Sequence, residues 1–197
     1  MDISLRLPDA FNGAILIAIA LILSFLGLNA VGVSALSSKS SESPIRRDLL
    51  LAYFIALGIG LHNMGEGLSI GAAYAIGEVA LGAFLILGFT IHNVTEGIAI
   101  IAPLKRGIAI RHIAYLGLLA GAPTIFGTLI GGFTLSDLWA LIFLSIGAGA
   151  IFQVVYEVFL FLSERGNFIL ELSNRRNLLG LFLGFAAMYT TGLLIPS

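Results

Sequence analysis

The sequence contains no cysteine, only three histidines, and charged residues at just 11% of its 197 positions. The missing thiols exclude a disulfide framework, a thiolate zinc site and thiol redox chemistry, so any metal must be held by imidazole, carboxylate, amide or water. The scarcity of charge excludes more. An ordinary soluble domain is about a quarter charged; with 58% apolar residues and a mean hydropathy of +1.04, this chain cannot cover its own surface in water. Ten Lys and Arg against eleven Asp and Glu leave no basic stripe for a phosphate backbone, which sets nucleic-acid binding aside. The class that remains is an integral membrane protein, with the lipid bilayer as its main partner.

What is present is a set of long apolar runs, at about 13–36, 49–76, 79–102, 113–135, 138–162 and 177–196. Each approaches or exceeds the ~20 residues that a helix needs to cross the hydrocarbon core. The expected fold is therefore all-α, a polytopic membrane helix bundle of six transmembrane helices forming a single domain over 1–197. Gly13–Leu36 carries no charge and is too long for a signal-peptide core, so it reads as a retained span. The connections are short: 37–48 is a polar, Ser-rich linker, and Glu78 sits alone in a turn.

Orientation follows from the loop cations, because cytoplasmic loops hold the excess of Lys and Arg. Lys39, Arg46 and Arg47 fall in the first connection, Lys105, Arg106 and Arg111 in the third, and Arg165, Arg175 and Arg176 in the fifth. The second and fourth, around Glu78 and Asp137, have none. This alternation makes 37–48 cytoplasmic and places both termini outside, with Arg6 as the dissenting residue.

Two apolar spans carry the same polar pattern, H-N-x-x-E-G: His62-Asn63-Met64-Gly65-Glu66-Gly67 and His92-Asn93-Val94-Thr95-Glu96-Gly97. On a helix the His and Glu are i and i+4, and the Asn and Glu i and i+3, so all three project from one face. With the hairpin apex at Val79, His62 and Glu96 each lie 17 residues away, and Glu66 and His92 each 13. An antiparallel hairpin thus sets His62 level with Glu96 and Glu66 level with His92, about 20–25 Å from the turn. An ionised carboxylate at that depth costs roughly 2.5–3.5 kcal/mol. Protons, water, the imidazoles or a bound cation must compensate two of them, and a divalent ion does so best. Imidazole with carboxylate suits zinc, iron or manganese. The candidate metal ligands are His62, Asn63, Glu66, His92, Asn93 and Glu96.

Other signals leave two readings open. Pro123 should kink the fourth span and free a carbonyl, and it either lines an ion pathway or serves packing; Gln153 and Glu157, i and i+4 in the fifth span, either line the pathway or mark a solvated end a turn from the inner surface. Asn29 reads as a helix–helix hydrogen bond and His112, beside Arg111, as a surface histidine. Glycines recur at small-xxx-small spacing in Gly67/Gly71, Gly117/Gly121, Gly127/Gly131 and Gly180/Gly184. Such faces let helices approach closely, within one chain or across a dimer seam. Gly67 and Gly97 read as close-packing positions.

At the duplicated motif the sequence resembles the ZIP (ZRT/IRT-like) family of divalent metal transporters, especially its bacterial and archaeal branch. His62, Asn63, Glu66 and Gly67 match the first family motif, and His92, Asn93, Glu96 and Gly97 the second. The resemblance implies a binuclear site, with His62, Glu66, His92 and Glu96 holding the main ion and Asn63 and Asn93 joining the two glutamates at a neighbouring position. It also implies a rocking or elevator movement of two helix groups, a homodimer, and residence in the cell membrane of a prokaryote. The chain departs from the family in three respects: the first two of its eight spans have no counterpart, both motifs lack the usual proline, and Ala122 stands before Pro123 where relatives often place a glutamate.

The expected function is transport of a divalent cation, zinc first and Fe²⁺ or Mn²⁺ next, toward the cytoplasm, by a transporter rather than an enzyme and without an organic cofactor. A membrane di-metal carboxylate oxidoreductase is the alternative, although such bundles use E-x-x-H with further Glu from other helices. A ZIP-like half-assembly that does not transport is another. An intramembrane zinc protease lacks its H-E-x-x-H signature here.

Overall fold

The computed structural model describes residues 7–37, 44–104, 108–133, 137–163, 170 and 173–193. The linker residues 38–43, the loop cations Lys105, Arg106 and Arg165, and positions 194–196 of the expected last span lie outside the described residues. Six helices and no strand occur among the described residues: α1 Leu7–Ser37, α2 Pro44–Ala75, α3 Val79–Ile101, α4 Ile110–Phe133, α5 Asp137–Ser163 and α6 Arg175–Gly192.

Helices α1 to α5 are long and apolar enough to cross a membrane. The described part of α6 falls short. Its 18 residues begin with Arg175, Arg176 and Asn177, and the apolar remainder extends about 22 Å, less than a ~30 Å hydrocarbon core. At the other end, α2 begins at Pro44 rather than at 49, so Arg46 and Arg47 ride on its first turn instead of in a linker. Proline suits that position because a first-turn amide has no intrahelical partner to lose.

Helix α2 is the hub. Half of its membrane-length window is buried, against none of α1's, and it packs on α4, α5 and α3, while α1 leans on α5. Bare backbone makes the α2–α4 contact. A methyl group added at Gly60, Gly67 or Gly71 would land on the carbonyls of Leu119, Thr124 or Thr128, and one at Gly127 or Gly131 on those of Met64 or Leu68. Without side chains between them, the two parallel helices gain close dispersion contact and Cα–H···O contacts. Gly67/Gly71 and Gly127/Gly131 are thus intramolecular seams. Gly117, Gly121, Gly180 and Gly184 face open space.

Helix α5 wedges between α1 and α2 by the same means. Gly149 lies against the Leu21 carbonyl, Gly147 against the backbone of His62, and Ser24 Oγ donates to the Ile146 carbonyl at 2.8 Å. At the N-terminal end of α4, Tyr53 Oη and His112 Nδ1 are 3.0 Å apart, so His112 is a half-buried tie to α2 rather than a free surface histidine. Tyr53→Phe is expected to cost about 1 kcal/mol, the usual worth of such a bond, seen as a lower thermal midpoint in detergent. Metal binding should be unchanged, because Tyr53 precedes His62 by about 14 Å of helix.

The α2–α3 turn sets the register of the hairpin. Gly77 adopts φ 84°, the Glu78 amide donates to the Ala73 carbonyl at 2.9 Å and the Gly77 amide to Tyr74 at 3.1 Å. This is a Schellman cap, which needs a residue free to take a left-handed conformation at the position after the helix. The Tyr74 ring then lies over Gly82, where a side chain would collide with it.

A candidate metal centre between α2 and α3

The capped hairpin lays the two motif copies against each other. His62, Glu66, His92 and Glu96 each present one ligand atom, and the four atoms all lie within 4.8 Å of one another. Glu66 Oε1 is the focus. Both imidazoles turn Nε2 toward it, His62 at 3.4 Å and His92 in direct hydrogen-bond contact. Across the hairpin His62 Nε2 stands 3.9 Å from Glu96 Oε1. His62 is therefore level with Glu96 and His92 with Glu66, the pairing the residue count from the turn implies.

These separations suit a small divalent ion. Metal–ligand bonds of about 2.0–2.1 Å in a tetrahedron place neighbouring donor atoms about 3.3 Å apart. The His62–Glu66 distance already matches, and the His92–Glu66 contact needs only a slight opening. Two carboxylates also cancel the charge of one divalent cation, which matters where the surroundings are hydrocarbon.

The support around the four ligands is unequal. Glu66 is buried, and its second oxygen is 3.5 Å from Asn93 Nδ2. His92 is buried and edge-on to Phe89, with ring centroids 5.4 Å apart. Asn63, also buried, donates from Nδ2 to the Ala120 carbonyl on α4 at 3.2 Å and lies beside the Glu96 carboxylate. Three buried oxygens at this layer have no hydrogen-bond partner: Asn63 Oδ1, Asn93 Oδ1 and Glu96 Oε2. Orphaned acceptors in an apolar setting are costly unless something donates or binds there.

The remaining candidates lie elsewhere. Gly147 meets His62, so Gln153 and Glu157 are about 9 and 15 Å further along α5, toward the N-terminal end of α2. Both are buried, and Gln153 Nε2 donates to Glu157 Oε1 at 3.1 Å. Pro123 sits within α4, its ring against Gly60. Ala120 escapes a reading of the sequence altogether, because it acts through its backbone carbonyl. The carbonyl that Pro123 frees is that of Leu119, one residue before Ala120.

On its outer side His92 borders an apolar cleft of about 780 Å³ between α3, α5 and α6. Comparison with protein-family models, with curated proteins and with solved structures finds no match. The fold and the cluster define a helical bundle with membrane-length helices and an internal two-histidine, two-glutamate site.

Proposed function

We propose that this chain is a membrane transporter of divalent metal cations, zinc foremost and Fe²⁺ or Mn²⁺ next, in the manner of the ZIP family its motifs resemble. The observation that carries the reading is the convergence of two imidazoles and two carboxylates, from two membrane-length helices, on one point. No third carboxylate joins them among the described residues. This favours binding and release of an ion over a four-carboxylate redox centre.

Release requires movement. Between the cluster and the N-terminal end of α2 lies a packed apolar block that includes Ile55, Ile59, Ile100, Leu116 and Val154. An ion cannot pass it without regaining water, so the helices on the two sides of the block must separate to let it through. With α6 counted as a sixth crossing, the loop cations put that end of α2 on the cytoplasmic side and both termini outside, and transport runs inward. In this reading the protein resides in the cell membrane of a prokaryote.

The test is zinc entry into proteoliposomes containing the 197-residue chain, with the Glu66→Ala/Glu96→Ala variant alongside. The expected result is entry for the first and none for the second, with equal helix content by circular dichroism. Equal entry by both would overturn the assignment.

A further inference from the structure

The cleft beside His92 is walled by α3, α5 and α6 and encloses about 780 Å³. The two polar side chains on its wall are engaged within the protein: Thr95 Oγ1 donates to the His92 carbonyl of its own helix at 2.6 Å, and His92 Nε2 is turned inward to Glu66. What faces the space is hydrocarbon and bare backbone, with Ile91 and Ala99 at the two ends of the α3 wall and Gly180, Gly184 and Ala187 on α6. A methyl group added at Gly180 or Gly184 would meet nothing within 4 Å. A void so lined forfeits dispersion contact along its whole wall, and at membrane depth the material at hand to fill it is lipid.

Charge marks one end of the cleft. Arg176, Gly180, Gly184 and Ala187 are i, i+4, i+8 and i+11, one face of α6. An exposed arginine therefore stands about 6 Å beyond the cleft on the face that lines it. Asn174 Oδ1 accepts from the Arg176 amide at 3.0 Å, which caps α6 and sets its positive end at the same mouth. Counted as the crossing after α5, α6 runs antiparallel to α3, so Gly180 is level with Ala99 and Ala187 with Ile91. The two connections at the Arg176 end, 103–111 and 164–176, contain Lys105, Arg106, Arg111, Arg165, Arg175 and Arg176 against only Glu164 and Glu171. Toward the other end, neither 79–91 nor 187–197 contains a charged residue.

We infer that the cleft seats an acyl chain of an anionic phospholipid whose phosphate is held at the Arg176 mouth. An apolar slot with cations at one end matches a molecule with an apolar tail and an anionic head, and basic pockets between membrane helices hold such headgroups. A second copy of the chain fits less well, because a two-fold contact through this face would set the same arginines level with each other. The seated chain closes the outer side of His92 with hydrocarbon. The site rests on α6 crossing beside α3 and is independent of the ion cluster.

The test is lipid retention by the full chain, read by native mass spectrometry after addition of phosphatidylglycerol or phosphatidylcholine. The parent chain is expected to hold one phosphatidylglycerol at least about fivefold more tightly than phosphatidylcholine, and Arg176→Gln to lower that preference about fivefold, the usual worth of one arginine at a lipid surface. Gly184→Leu places a side chain in the cleft without striking the protein. It should weaken phosphatidylglycerol binding about tenfold by displacing buried methylenes, with helix content unchanged by circular dichroism. A diazirine midway along the acyl chain should label 91–99 and 180–187.

Equal retention of the two lipids, or labelling confined to other segments, would overturn the inference. Phosphatidylglycerol held as tightly by Gly184→Leu as by the parent would also overturn it, since the contact would then be with the headgroup alone. A dimer that Gly184→Leu dissociates would overturn it in favour of a second copy.

Discussion

Glu66→Ala is expected to weaken zinc binding by more than about 100-fold, beyond what loss of a supporting partner produces, and by more than Glu96→Ala. Both substitutions leave one carboxylate against a divalent ion and so cost the same in net charge. They differ in contact. Glu66 Oε1 is the atom that both His62 and His92 approach, and its other oxygen faces Asn93. Glu96 reaches one imidazole, at 3.9 Å, and keeps one oxygen unpartnered. Removing Glu66 therefore leaves two imidazoles aimed at an empty point, whereas removing Glu96 leaves His62, Glu66 and His92 in place. Glu66→Gln separates charge from shape: it should retain the fold and lose the affinity. Calorimetry on the three variants decides the order, and a Glu66→Ala protein that binds zinc like the parent would remove Glu66 from the ligand set.

Gly67→Val is expected to prevent α2 and α4 from closing, whereas Gly97→Ala leaves the protein folded. The two glycines occupy the same position in the two motif copies. At Gly67 an added carbon would lie on the Thr124 carbonyl and press on the backbone of Thr128. Backbone cannot rotate away as a side chain does, so the helices must separate along the Gly60–Gly71 seam. Overpacking of a core costs about 1–3 kcal/mol when side chains can adjust, and a contact of backbone on side chain belongs at the upper end or beyond. At Gly97 nothing lies within 4 Å. Alanine there should be neutral or gain roughly 0.5–1 kcal/mol from its better helix propensity. Size-exclusion profiles and thermal midpoints in detergent provide the comparison. A well-folded Gly67→Val protein would contradict the packing described for α2 and α4.

A good part of this architecture is legible in the residues. Apolar length places five of the helices, because crossing hydrocarbon demands a run of apolar side chains whatever packs against them. The hairpin register follows from counting outward from the turn, because rise per residue is nearly constant along a helix. That is why His62 meets Glu96 and His92 meets Glu66. Helix ends are less legible: Pro44 extends α2 by a turn into what reads as a polar linker, and α6 begins at Arg175, two residues ahead of the expected 177.

By itself, the sequence determined composition class, the depth of each polar residue along its helix and the face from which it projects. Only the tertiary structure decided which neighbour covers that face. Asn63 and Asn93 are equivalent in the chain, yet α4 takes the amide of one and Glu66 the amide of the other. Gly67 and Gly97 are equivalent too, yet one touches backbone and the other open space. Gln153 and Glu157, read as possible lining, belong to a separate buried pair on α5. The physical reason is common to all: helical periodicity is a local property, whereas the partner across an interface depends on how bare two backbones are and how closely they approach.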